Sequence, residues 1–267
     1  MENKAVAIWL WNQVVGYLSW NEHQRCSTFV FEEQFLKNEW DVAPLWCSIH
    51  SPSASVPRWG NTDRLYAGLP PFVADSLPDR WGNRVFEAWA KRNGINSRKL
   101  NPLDRLSFIG KRGMGALEYQ LAQLLTGDDM PIQVAELYEL ALAIQEERQE
   151  VWLKGEDNLL VDDLYRVGTS AGGKRAKAII AINKDGDVRS GQAELPDDFV
   201  YYILKFNDDK EFPFSEVEYA YYKMACAAGV SMMPSRLLTV EGKQHFLTER
   251  FDRKQGEKQH ILNVSSI

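Results

Sequence analysis

Lys205 closes the apolar run Phe199-Val200-Tyr201-Tyr202-Ile203-Leu204, and Glu218 follows thirteen positions later, on the first turn of an expected helix. A lysine in a strand that is apolar on both faces must meet an anion or snorkel to water, because an unpaired buried ammonium is costly. A glutamate within reach would fix that ammonium and leave its other N–H groups for a second anion, such as a phosphate. Upstream lies Gly168-Thr169-Ser170-Ala171-Gly172-Gly173-Lys174, whose small residues would let the backbone come close to phosphate oxygens. Downstream, a hairpin ends in the polar segment Thr248-Glu249-Arg250-Phe251-Asp252-Arg253.

Other readings compete for two of these segments. Gly168-x-x-x-x-Gly173-Lys174 fits the phosphate loop of P-loop NTPases up to its last position, where Arg175 replaces the Ser or Thr that holds magnesium. The following Ala176–Ile182 is β-branched and predicts a strand, whereas a P-loop opens a helix. Ser215-Glu216-Val217-Glu218 also fits a capping box, in which Glu218 bonds back to the Ser215 amide. Against that, the helix is expected to bury Val217, Tyr221, Met224, Ala225 and Ala228, with Glu218 beside this face and above the sheet. A glycine loop, a strand lysine, a helix glutamate and a polar hinge, in that order, make the ATP-gripping half of a protein-kinase-like fold. The other half, with its catalytic carboxylate and metal ligands, has no candidate before Ile267.

The surrounding elements are those such a site needs. The 267 residues have room for one large domain or two modest ones, with an apolar fraction that supports a core. A net charge of −6 argues against broad nucleic-acid binding. No run approaches the ~18 apolar residues of a membrane span, and no signal-peptide pattern opens the chain, so a cytoplasmic protein without membrane contact is expected. Cys26, Cys47 and Cys226 read as reduced thiols. Val6–Trp11, a turn at Asn12-Gln13, Val14–Leu18 and Ser27–Phe31 predict antiparallel strands. Helices are predicted from Pro78 to Arg92, from Pro102 to Phe108 with Asn101 as cap, and from Pro131 to Val151. Asp185-Gly186 marks a hairpin. A change of texture around 151–165 sets the domains at 1–150 and 151–267.

Several segments carry a resemblance beyond these patterns. They are Phe108-Ile109-Gly110-Lys111-Arg112-Gly113-Met114-Gly115-Ala116-Leu117, Ser170-Ala171-Gly172-Gly173-Lys174-Arg175-Ala176-Lys177-Ala178, Glu218-Tyr219, Gly229-Val230, Pro234 and Glu249–Arg253. On these the chain resembles the HipA family of bacterial toxins, serine/threonine kinases of type II toxin–antitoxin modules. The resemblance implies autophosphorylation at Ser170 and an ATP site lined by Gly172, Gly173, Lys174 and Lys177. It also implies that Lys205 holds phosphates, that Glu218 orients Lys205, and that Glu249, Arg250 and Phe251 form the adenine hinge. The implied partner is an antitoxin of the helix-turn-helix DNA-binding type, through which alone the chain would meet DNA.

In this family the base aspartate and the Mg2+ ligands belong to a helical C-lobe beyond the hinge, and only fourteen residues follow Arg253. The fold expected is therefore α+β: an N-terminal β-rich subdomain with helices, then a kinase-like N-lobe of antiparallel sheet plus one key helix, with the C-lobe absent. On that reading the chain is truncated, holds no catalytic residue or metal ligand, uses Mg2+ only in a complete kinase, and transfers no phosphate alone. A separate chain supplying the C-lobe is then a further expected partner. The alternative is a non-catalytic interaction module that binds an antitoxin or such a chain.

Overall fold

The computed structural model describes residues 5–120, 133–145, 173–209, 211–254 and 256–266. In chain order the strands of the two five-stranded sheets are β1 (Val6–Leu10), β2 (Gln13–Asn21), β3 (Cys26–Phe31), β4 (Arg58–Trp59) and β5 (Leu117–Gln120), then β6 (Lys177–Asn183), β7 (Val188–Ser190), β8 (Phe199–Lys205), β9 (Ser235–Val240) and β10 (Lys243–Glu249). The helices are α1 (Pro71–Ala74), α2 (Arg80–Arg92), α3 (Pro102–Ile109), α4 (Val134–Gln145) and α5 (Phe214–Ala227). The chain forms two compact units, one of Met1–Leu77, Arg98–Thr126 and Lys258–Ile267, the other of Pro78–Ser97 and Gly127–Glu257.

The first unit is built on an antiparallel sheet of order β4-β3-β2-β1-β5. Period-two alternation places Val6, Ile8 and Leu10 of β1 on the buried face. They meet Leu18, Phe29, Phe31, Phe35, Phe72, Leu103 and Leu106 in one apolar cluster. The β1–β2 turn sits on Trp11-Asn12, one residue earlier than Asn12-Gln13. Both residues adopt positive φ (47° and 63°), the geometry of a tight twisted hairpin, and Gln13 then pairs with Leu10. Gly16 is required by close approach: a Cβ there would stand 2.3 Å from the Val30 carbonyl oxygen. α3 opens as its residues dictate. Asn101 and Asp104 form a reciprocal capping box, Pro102 occupies the first turn, and Gly110 ends the helix with φ 55°.

The second unit carries a five-stranded antiparallel sheet of order β7-β6-β8-β10-β9. β6 is buried along most of its length, with Ala178, Ile179, Ile180 and Ala181 fully covered. The Asp185-Gly186 turn joins it to β7, with Gly186 at φ 88°. α2 is capped by Asp79, whose side chain accepts from the Gly82 amide. α5 departs from expectation in what it buries. Ser215 is the one buried residue of this helix, while Tyr221 and Met224, expected in the core, are 67% and 64% exposed. Helical spacing marks an apolar stripe but says nothing of what covers it.

Candidate functional site

β6, β8 and β10 lie side by side, and their register places Lys177 opposite Lys205 and Lys205 opposite Phe246. Directly opposed residues of an antiparallel pair share one face of the sheet, so the two lysines emerge together. Lys205 Nζ donates to Glu218 Oε1 at 2.8 Å and stands 5.4 Å from the centre of the Phe246 ring. The capping-box alternative for Glu218 is not adopted. α5 starts at Phe214 after Pro213 with no side-chain cap, and the Glu218 carboxylate is spent on Lys205. Both side chains of this pair remain partly open to solvent.

Lys177 has a different environment. It is 2% exposed, yet its ammonium donates to Asp79 Oδ2 at 3.2 Å and to the Gly173 carbonyl at 2.8 Å. Burial holds its pKa below the usual lysine range; Asp79 opposes that shift and neighbouring Lys205 adds to it. Gly173 takes φ 122°, a backbone conformation that favours glycine. Arg175 is engaged as well: it bonds Asp208 Oδ1 at 2.5 Å and lies 3.2 Å above the centre of the Phe214 ring. The site thus sets each of three cations against a carboxylate from another element: Asp79 at the start of α2, Glu218 on α5, and Asp208 in the loop after β8.

Lys174 is exposed, and the segment after it is a strand rather than a helix, so the context of a P-loop is missing. Ser170 and Gly172 lie outside the described residues.

At the far end of β10, the Glu249 amide donates to the Pro234 carbonyl at 2.9 Å, and the Arg250 amide to the Tyr201 carbonyl at 2.9 Å. Pro234 has no N–H with which to return a bond to the Glu249 carbonyl. Phe251 is 58% exposed. The Arg250 side chain does not face a ligand. It is buried, with Nε and Nη2 on the two oxygens of Asp252 at 2.8 and 2.7 Å and Nη1 on the Gly191 carbonyl at 3.0 Å. Only the backbone of Arg250 could therefore serve a bound base. Asp79 and Asp208 were not singled out from the sequence, and Trp81 was read only as an apolar position of its helix, although Pro78-Asp79 before an apolar helical pattern is a capping signal. Among the described residues no group of three His, Cys, Asp or Glu side chains is placed to hold a metal ion.

Two family models match the chain: the HipA N-terminal domain over residues 6–120 and the HipA-like C-terminal domain over residues 169–267. No curated protein matches it. Among solved structures it is similar to HipA of Shewanella oneidensis MR-1, in a complex of that toxin–antitoxin system with HipB and operator DNA, at 16% identity and a TM-score of 0.58. The similarity covers 95% of this chain and 53% of that one, so the chain spans about half the length of the structure it matches.

These matches correct the expected fold class. The architecture is α+β, but the absence of the C-terminal portion is overturned, because the HipA-like C-terminal domain matches from residue 169 onward. That domain begins at the glycine-bearing segment and includes the sheet. Fourteen residues beyond the hinge were therefore no measure of a missing C-lobe. The ground for a separate chain supplying a missing lobe falls with that count.

Proposed function

The chain belongs to the HipA family, and on that premise we propose that its second unit binds ATP as the nucleotide site of a serine/threonine kinase toxin. The observation that carries this reading is the Lys205–Glu218 pair at 2.8 Å, set beside Lys177 on the neighbouring strand. Glu218 fixes the Lys205 ammonium through one N–H, and the remaining donors meet α- and β-phosphate oxygens. Gly172, Gly173 and Lys174 approach the phosphates through the backbone, while Lys177 adds a second cation. The Glu249 carbonyl, which gets no return bond from Pro234, accepts from the exocyclic amine of adenine; Phe251 covers the ring. Phosphate on Ser170 would repel the phosphates of the nucleotide and silence the site.

Magnesium would accompany ATP as it does in kinases generally, through phosphate oxygens and one or two carboxylates. The described residues do not assemble a protein shell of three or more such side chains for it. The partner we propose is an antitoxin, with DNA met through that partner; the Shewanella HipA was solved with HipB and operator DNA, and the net charge of −6 disfavours direct DNA contact.

Titration of the full chain with Mg-ATP by calorimetry tests the reading, together with mass spectrometry of the Ser170 peptide after incubation. Wild-type protein is expected to bind ATP, and Lys205→Ala to lose at least about tenfold in affinity. Phosphate on Ser170, absent in Lys205→Ala, would establish transfer by this chain. Antitoxin binding without any ATP binding would instead favour a non-catalytic interaction module.

A further inference from the structure

The first turn of α2 belongs to none of the loop, strand, helix and hinge elements of a kinase-type nucleotide site, yet it grips Lys177 at two points. Trp81 Nε1 donates to the Lys177 carbonyl at 3.0 Å, and Asp79 Oδ2 accepts from the Lys177 ammonium at 3.2 Å. Asp79 is itself held, since its Oδ1 accepts from the Gly82 amide at 2.7 Å and caps the helix. The ammonium's other partner, at 2.8 Å, is the neutral carbonyl of Gly173. These acceptors differ in kind. One is a carboxylate fixed at a helix terminus; the other is a single peptide oxygen on a glycine with φ 122°.

We propose that Asp79 is a positioning residue of the nucleotide site: it anchors Lys177 so that a phosphate oxygen takes the place of the Gly173 carbonyl on the ammonium, beside Lys205. The inference rests on the ATP reading above. An anionic phosphate oxygen is a stronger acceptor than a peptide carbonyl, so the exchange runs toward the ligand. The opposed positions of Lys177 and Lys205 let both ammonium groups act on one anion. Asp79 also sets the charge of Lys177. The charged groups around this ammonium are Asp79 from α2, Lys205 from β8 and Asp208 from the loop after β8. Without Asp79, burial and Lys205 favour the neutral amine, which holds phosphate poorly.

The test is Mg-ATP titration of the full chain across the neutral-to-alkaline range. Asp79→Asn keeps an amide oxygen for the Gly82 N–H but removes the charge. It is expected to raise the Kd about tenfold and to start the loss of affinity at a lower pH than in the wild type. Asp79→Glu should recover part of the affinity, and a cap-only role would leave the pH profile unmoved. Asp79→Asn should add nothing in a Lys177→Ala background but should keep its effect beside Lys205→Ala. Wild-type affinity and pH profile in Asp79→Asn, or full additivity with Lys177→Ala, would overturn the proposal while leaving the ATP reading intact. Failure of the wild type to bind ATP would remove both.

Discussion

Asp252→Asn is expected to destabilise the second unit by about 3–5 kcal/mol, the cost of breaking a buried ion pair from one side. Asp252 is fully buried and receives Arg250 through two parallel bonds at 2.8 and 2.7 Å. Arg253 Nη1 adds a third at 2.7 Å. One carboxylate therefore serves two guanidinium groups whose side chains are 0% and 7% exposed. Burial and the Arg250 charge push the Arg253 pKa down to about 10. Asparagine offers one acceptor where the carboxylate offers two, and no charge, so an arginine donor goes unpaired in a dry setting. The loss should appear in urea unfolding followed by amide exchange in β8 and β10, which reports this unit by itself. Arg250→Met should cost a similar amount, and the double variant less than both together. A loss under about 1 kcal/mol, or simple additivity, would show that the pair contributes no more than a surface contact.

Two further outcomes concern stability. His245 is fully buried, its Nδ1 accepts from the Asn207 amide at 3.1 Å, and burial followed by the Lys243 charge lowers its pKa to about 4. The unfolded chain then binds more protons below the ordinary histidine value of about 6.5. About 3 kcal/mol present above that pH is therefore lost on descending to about pH 4, and His245→Gln should flatten this part of the stability–pH curve in urea titrations. Gly16→Ala forces a Cβ to within 2.3 Å of the Val30 oxygen and should lower first-unit stability by about 1–3 kcal/mol, read as faster amide exchange in β2 and β3.

The sequence disclosed this site where local rules dominate and hid it where distant segments meet. Lys205 was legible because a charge at the end of an apolar strand is costly unless partnered. The Asp185-Gly186 turn and the α3 caps were legible because φ preferences and side-chain caps act within a few residues. The role of Glu218 was ambiguous, since capping box and ion pair use the same carboxylate; the missing Ser215 cap and the 2.8 Å bond to Lys205 decide between them. The β1–β2 turn slipped by one residue because Asn12 suits either frame. Burial of Val6, Ile8 and Leu10 on one face selects the register. The absence of the C-lobe was misjudged because a count of residues beyond the hinge says nothing of where the family's C-terminal domain matches, which is from residue 169 onward. Ser170 and Gly172 lie outside the described residues, so their placement belongs to the proposal.

What local rules could not reach is the part of the site that controls charge. Lys205 can be found from its own strand, whereas Lys177 was reached only through the family resemblance, because within its strand it is one more residue of a buried β6 run. Its ammonium is tolerable there because Asp79, the cap of a helix ninety-eight positions away, and the Gly173 carbonyl both accept from it. A second cation beside Lys205 would repel it unless a carboxylate stood behind each, and that is the arrangement found: Glu218 behind Lys205, Asp79 behind Lys177, Asp208 behind Arg175. Pairing of this kind brings the three cations close to charge balance, and on the proposed ATP reading it leaves ammonium donors for phosphate oxygens. On the proposed ATP reading, neutralising Glu218 or Asp79 should weaken phosphate binding through Lys205 or Lys177, and only the loss of Asp79, whose partner is buried, should couple that weakening strongly to pH.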